Sequence, residues 1–495
     1  MFLGIDVGTF ESKGVLVDAG GVVLAQARRH HGIATPAPGH VEQDPESDWW
    51  ADVCAISRDL LSGVDPREVA AVGVSAIGPC VVATDAAFTP LRPAILYGID
   101  TRAGDQIRAL TERLGVETIR SRSGNVLTSQ SAGPKIAWLA EAEPEVWQAA
   151  RWFMTSQSWL VAKLTGEVTI DHATAGYFHP LYDLAAGRWD VTGCEEFVDE
   201  TRLPRIGWSS EIAGTVTDAA ADVTGIPVGT PVIIGTTDAP AEAVGSGAVA
   251  DGELMAMYGS SGYFIRVGDR IRTSEQLWAA PFVFEGTAVL AAGTSTAGTA
   301  TRWIADLLGL TADTDEETFG RLIALAAEST PGARGVLAMP HFSGERTPFQ
   351  DAASRAVVMG LGLEHTRADV ARAFLEGVGH SIAAAIGAYA AEDAPIERVV
   401  AVGGATKNPF IIESVSAITG FDQHVVDSPG ASLGDAFLAA FGVGAVSSAE
   451  DVRAWVGLRE TVRADAVPVD ALRRDHEDYL ALYDAVAPLQ RRRAE

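Results

Sequence analysis

The sequence is poor in cysteine, in long apolar runs and in positive charge. Its three cysteines, Cys54, Cys80 and Cys194, are scattered over 495 residues with no CxxC pair. An odd, widely spaced set builds neither a disulfide framework nor a zinc site. No run of about 18 apolar residues occurs, so no membrane-spanning helix is expected. The opening residues MFLGIDVGTF lack a basic stretch followed by a long apolar one, and the expected compartment is the cytoplasm. Lys and Arg total 37 against 65 Asp and Glu, a formal charge of −28. That balance argues against nonspecific binding to nucleic acid or to an anionic membrane surface. It leaves room for a local basic site for phosphates.

What is present is globular. Apolar residues make up 47% and charged residues 21%, and the length exceeds what one ordinary core organises, so two domains are expected. The chain opens on short β-prone runs, Met1–Asp6, Gly14–Asp18 and Val22–Ala27, with Ala19-Gly20-Gly21 as a hairpin turn. Apolar runs at Val69–Ser75 and Val81–Thr84 read as buried strands, and Trp49–Leu61 and Ala103–Leu114 as helices. Hairpins followed by strands alternating with helices indicate an α/β domain with a mixed sheet. Further on, Pro231–Gly235 is a very apolar strand ending in Thr236-Thr237-Asp238, followed by a small-residue helix, Ala239–Gly247. A second meander then begins: Leu254–Tyr258, a Gly-Ser-Ser-Gly turn, and Tyr263–Val267. The repetition predicts two related lobes, residues 1–245 and 246–495, with a cleft between them. The charged tail Arg491–Glu495 is expected to fray.

Three glycine turns carry candidate chemistry. Asp6-Val7-Gly8-Thr9 sits where the first strand ends, and Lys13 opens the next. A tight hairpin there aims backbone N–H groups and the Thr9 hydroxyl at one point, a concavity suited to phosphate oxygens. Asp6 would hold magnesium directly or through water. Gly259-Ser260-Ser261-Gly262 repeats the arrangement in the second lobe. Val399–Val402 runs into Gly403-Gly404-Ala405, then Thr406, Lys407 and Asn408 ahead of a helix starting at Pro409. Such a turn lets a flat base or a ribose approach the backbone. Taken singly, each turn also reads as a structural hairpin or a close strand–helix crossing.

In this order, the three turns resemble those of the FGGY carbohydrate kinases, within the actin-like and hexokinase-like ATPase superfamily. Other segments extend the resemblance from residue 3 to about 445. His40-Val41-Glu42-Gln43-Asp44-Pro45 with Trp49-Trp50 is similar to the family's early acidic-Pro-Trp segment, and Lys135-Ile136-Ala137-Trp138-Leu139 to its first signature. Phe342-Ser343-Gly344-Glu345-Arg346-Thr347-Pro348 resembles the loop before the second signature, which runs from Ala356 to Glu376 with Phe374 in place of a smaller residue. The pattern is nearest to xylulokinase-like members.

The resemblance implies two ribonuclease-H-like lobes hinged about a central cleft, binding ATP and Mg2+ and phosphorylating a hydroxyl of a small carbohydrate: a ketopentose, a polyol or a sugar acid. Asp238 matches the family's general base and Asp6 its magnesium-associated carboxylate. Gly8, Thr9, Lys13, Gly259, Ser260, Gly293, Gly403, Gly404 and Asn408 fall around the nucleotide. Asp100, Arg102 and Gln130 fall near the acceptor. Without the resemblance, Asp238 reads as a helix N-cap, and Asp100 with Arg102 as a surface ion pair. Two departures stand out. Phe10 occupies a position where the family places a hydroxyl residue, so a phosphate contact is lost or the ring packs on the sugar side. Ile77-Gly78-Pro79 occupies the place of a polar substrate-reading motif and offers no side-chain hydrogen bond, so glycerol is expected to be a poor acceptor. A chaperone-type or filament-forming ATPase of the same superfamily is the competing reading. The oligomeric state stays open, a homodimer among the options.

Overall fold

The computed structural model describes residues 1–494. Two seven-stranded sheets dominate it. In the first lobe, Phe2–Val7, Glu11–Val17 and Val23–His30 form an antiparallel meander. Ala71–Ala76 then pairs parallel to Phe2–Val7, Pro231–Ile233 parallel to Ala71–Ala76, and Ile212–Thr215 closes the edge antiparallel. The second lobe repeats this order. Glu253–Tyr258, Gly262–Gly268 and Ala288–Gly293 form the meander, and Arg398–Val402 and Gln423–Asp427 add in parallel. Gly457–Val462 closes that edge antiparallel, and Trp278–Pro281 extends the other. Each lobe is thus a ribonuclease-H-like sheet.

Burial follows the pairing. All six residues of Phe2–Val7 and of Ala71–Ala76 are buried, as befits central strands covered on both faces, whereas Val23–His30 has no fully buried residue and lies at the edge. Each sheet carries its own core. A third apolar cluster joins them, containing Phe2, Val244, Met255, Val400, Leu433 and Phe437.

The helix Ala431–Gly442, late in the chain, packs on the first lobe's sheet and on the helix Asp238–Ser246. The contact is made backbone to backbone. A Cβ on Gly4 would lie 1.9 Å from the Ser432 carbonyl, and one on Gly73 2.1 Å from that of Asp435. Glycine at these two strand positions is what brings Asp435 under the strand ends. In register, Asp6 pairs with Ser75, and Ser75 with Thr236, so three strands end in one row at the cleft.

The chain's end departs from expectation. The last 50 residues supply the strand Gly457–Val462 and a long helix, Val469–Ala494. The tail does not fray through Arg491, whose Nε lies 3.0 Å from Asp351 Oδ2. No helix among the described residues is long and apolar enough to cross a membrane.

Candidate active site

The first hairpin is held from behind. Gly8 N–H donates to Glu11 O at 3.1 Å, and a Cβ on Gly8 would sit 2.7 Å from that oxygen, so the turn admits only glycine. His31 lies 2.9 Å from the Gly8 carbonyl through Nε2 and 2.8 Å from Asp52 through Nδ1. Both neighbours accept, so both ring nitrogens carry protons. Burial opposes that charge, but the Asp52 and Gly8 hydrogen bonds prevail and the pKa is raised. Gln43 donates to Thr9 O at 2.8 Å while accepting from Trp49 Nε1 at 2.9 Å. These contacts give the early acidic-Pro-Trp segment a physical task. Lys13 lies within the strand Glu11–Val17, not at its start, and pairs with Glu11 at 3.2 Å. Phe10 is 58% exposed, so its ring projects from the hairpin tip.

Four carboxyl groups converge below this hairpin. Ser75 Oγ lies 3.2 Å from Asp6 Oδ1 and 2.7 Å from Asp435 Oδ2. Asp6 is pushed up to about 8, by burial first and then by Asp238 and Glu242. Asp238 is raised to about 7, chiefly by burial. Glu242 and Asp435 are raised as well, again by burial first, and Asp435 Oδ1 is buried without a partner. The site is short of positive charge. Its donors are hard oxygens, which suit a divalent cation such as magnesium. Among the described residues, no three or more of these or other ligating side chains are placed to hold a metal ion between them.

Asp238 opens the helix Asp238–Ser246 and accepts from its neighbour, Ala239 N–H, at 2.9 Å. That bond fixes the carboxylate at the helix start while leaving it partly exposed to the cleft.

The loops carrying Tyr97 and Gln130 are organised by Lys135. Its ammonium is wholly buried and donates to Leu96 O at 2.7 Å, Tyr97 O at 2.9 Å and Ser129 O at 2.7 Å. Burial lowers its pKa to about 8. Two loops are thereby pinned together, with Gln130 folded over Gly98 and accepting its N–H at 3.2 Å. Tyr97, which the sequence reading missed, reaches Thr9 Oγ1 at 3.0 Å and ties its loop to the first hairpin. Tyr177 stacks on Trp278 at 6.1 Å and adds an aromatic wall.

Asp100 and Arg102 require correction. Their side chains are 0% exposed, so they form neither a surface pair nor an open substrate contact. Asp100 accepts from Val41 N–H at 2.6 Å and from Arg102 Nη2 at 2.7 Å. Arg102 also lies 2.8 Å from Glu42 and 4.9 Å from the Trp138 ring centroid. The pair is internal scaffolding.

In the second lobe, the Gly259–Gly262 turn is tied to the start of the helix Gly298–Leu307. Ser260 O accepts from Ala297 N–H at 2.9 Å, and Gly259 O from Gly298 N–H at 3.0 Å, with Ser260 left exposed at the tip. A Cβ on Gly293 would lie 2.8 Å from Arg346 Cζ, so this glycine makes room for the arginine. Arg346 donates to Gly262 O at 3.2 Å, and Glu345 accepts from Ser295 N–H at 2.6 Å and from Arg346 N–H at 2.8 Å. Gly403 adopts φ 98° beside the Tyr258 carbonyl, where a Cβ would come within 2.5 Å. Gly404 faces open space. Asn408 caps the helix Pro409–Thr419 by accepting Phe410 N–H at 3.1 Å.

Comparison with known proteins gives one answer. The profile of the FGGY family of carbohydrate kinases matches through its N-terminal domain at residues 1–245 and its C-terminal domain at 254–443. Xylulose kinase of Escherichia coli K12 is 27% identical over 500 residues, 99% of this chain and 100% of that protein. A ribulokinase of Mycolicibacterium smegmatis is 27% identical, covering 98% of this chain and 93% of its own. The crystal structure of xylulose kinase from Rhodospirillum rubrum superposes with a TM-score of 0.92 at 28% identity, over 99% of both chains. The chain belongs to the FGGY family of carbohydrate kinases.

Proposed function

We propose that this kinase moves the γ-phosphoryl group of Mg-ATP onto a hydroxyl of a small polyhydroxylated acceptor, with a ketopentose first among the candidates. Relatives described as xylulose kinase and ribulokinase, at the same identity, support the ketopentose class. The observation that carries the mechanism is Asp238. It is held by Ala239 N–H at the cleft floor, and its pKa of about 7 suits a base working near neutral pH.

The acceptor lies between Asp238 and the loops carrying Tyr97 and Gln130. As its hydroxyl oxygen bonds to the γ-phosphorus, Asp238 takes the hydroxyl proton, the bond to the bridging oxygen breaks, and ADP leaves. Most of the acceleration comes from in-line alignment and from neutralising charge on the phosphoryl oxygens. The Gly8–Thr9 turn, Lys13 and the Gly259–Ser260 turn offer donors to the phosphates, while Gly293, Gly403, Gly404 and Asn408 border the base and ribose. Asp6 is the residue that would hold Mg2+, which would supply positive charge to offset that of the phosphates. The buried Asp100–Arg102 pair supports Val41 and the acceptor loop from behind.

The test is coupled ADP release with D-xylulose, D-ribulose, glycerol and a sugar acid. Strong stimulation by a ketopentose is expected. ATP turnover indifferent to every acceptor but dependent on protein concentration would favour a filament-type ATPase instead.

A further inference from the structure

Thr217 and Thr237 both precede a helix, with the same backbone: φ −80°, ψ 164° and φ −79°, ψ 163°. Thr217 behaves as an N-cap threonine should, its hydroxyl accepting Ala220 N–H at 3.3 Å. Thr237 makes no cap bond. The reason is in the sequence. An N-cap side chain serves the N–H of the second or third helical residue. Here the third is Pro240, which has none, and the second, Ala239, is taken by Asp238 at 2.9 Å. The Thr237 hydroxyl is therefore released from capping, on the residue that precedes the base.

The Thr237 methyl has a role of its own. A Cβ on Gly78 would lie 2.4 Å from Thr237 Cγ2 and 3.5 Å from Thr155 Oγ1. Contact below 3 Å with a methyl on a fixed strand end cannot be relieved by a small rotation. So Thr237 fills the space that a side chain at 78 would need, in the segment where Ile77, Gly78 and Pro79 present no polar group.

We propose that Thr237 is the acceptor-reading residue of this site. Its hydroxyl bonds the acceptor hydroxyl on the carbon next to the one whose hydroxyl Asp238 deprotonates, in place of a polar side chain at position 78. This rests on the kinase reading given above.

The experiment compares wild type, Thr237→Val and Thr237→Ser with D-xylulose, D-ribulose, glycerol and 1,3-propanediol, which is glycerol without its middle hydroxyl. Valine keeps the shape and removes the hydroxyl; serine keeps the hydroxyl. Thr237→Val should lower kcat/KM for the best acceptor by roughly 10–100-fold, mostly through KM, and Thr237→Ser should recover most of that loss. The preference for glycerol over propanediol should shrink in the valine variant. A Gly78→Ala change should impair the enzyme beside Thr237 and be tolerated in the Thr237→Ser background, where the methyl is gone. Equal kcat/KM for wild type and Thr237→Val in an acceptor-responsive enzyme would overturn the assignment alone. A wild type that no acceptor stimulates would overturn the kinase reading and this assignment with it.

Discussion

Asp6 and Asp435, from opposite ends of the chain, share one hydroxyl: Ser75 Oγ lies 3.2 Å from the first and 2.7 Å from the second. The contact couples the first hairpin to the helix Ala431–Gly442, and so links the two lobes at the floor of the cleft. Asp435→Asn keeps the shape while removing a buried acid. It should retain the fold and shift the Mg2+ dependence of turnover, as measured by titrating Mg2+ at fixed ATP. An unchanged Mg2+ profile would separate Asp435 from the metal side of the site.

Asp6→Ala should raise the Mg-ATP KM far more than the acceptor KM, because its carboxylate lies under the phosphate hairpin. Steady-state kinetics with each substrate varied in turn makes the distinction. An effect confined to the acceptor KM would move Asp6 to the sugar side.

The pH profile follows from Asp238. A base must be ionised, so kcat/KM should rise with pH through about 7 and then level off. The same raised pKa has a thermodynamic consequence. Between the unfolded value and about 7 the native state holds the extra proton, so this group's contribution to stability is lost as pH rises through that window. A profile rising only below pH 5 would show a carboxylate with an ordinary pKa at work.

Lys135→Met should cost about 2–5 kcal/mol, since three buried carbonyls lose their donor. Acceptor KM should rise as the loops carrying Tyr97 and Gln130 loosen. Thermal denaturation and kinetics together check this; a stable variant with normal acceptor KM would mean that the loops hold without the lysine.

The repeat was legible because glycine punctuation and apolar runs are local signals. The helix Pro409–Thr419 carries its own start signal in Asn408-Pro409. The Asp100–Arg102 pair was misread because spacing of two residues says nothing about burial, and only the packing of Glu42 and Trp138 encloses it. Gln43 and His31 escaped assignment for the same reason: their partners, Thr9 O and Gly8 O, are backbone atoms brought near by folding. The long closing helix, Val469–Ala494, lacked a repeat to announce it. Pro240, by contrast, was in plain view. Its missing N–H could have flagged Thr237 as a threonine with no one to cap.

The central claim is that Asp238 accepts the acceptor's proton. Its most direct test is acceptor-dependent ADP release by Asp238→Asn beside wild type, each with D-xylulose or D-ribulose and saturating Mg-ATP. The account predicts a fall in kcat of ~10²–10⁴ with an unchanged melting profile and little change in the KM for ATP. Near-normal turnover by the folded variant would contradict it.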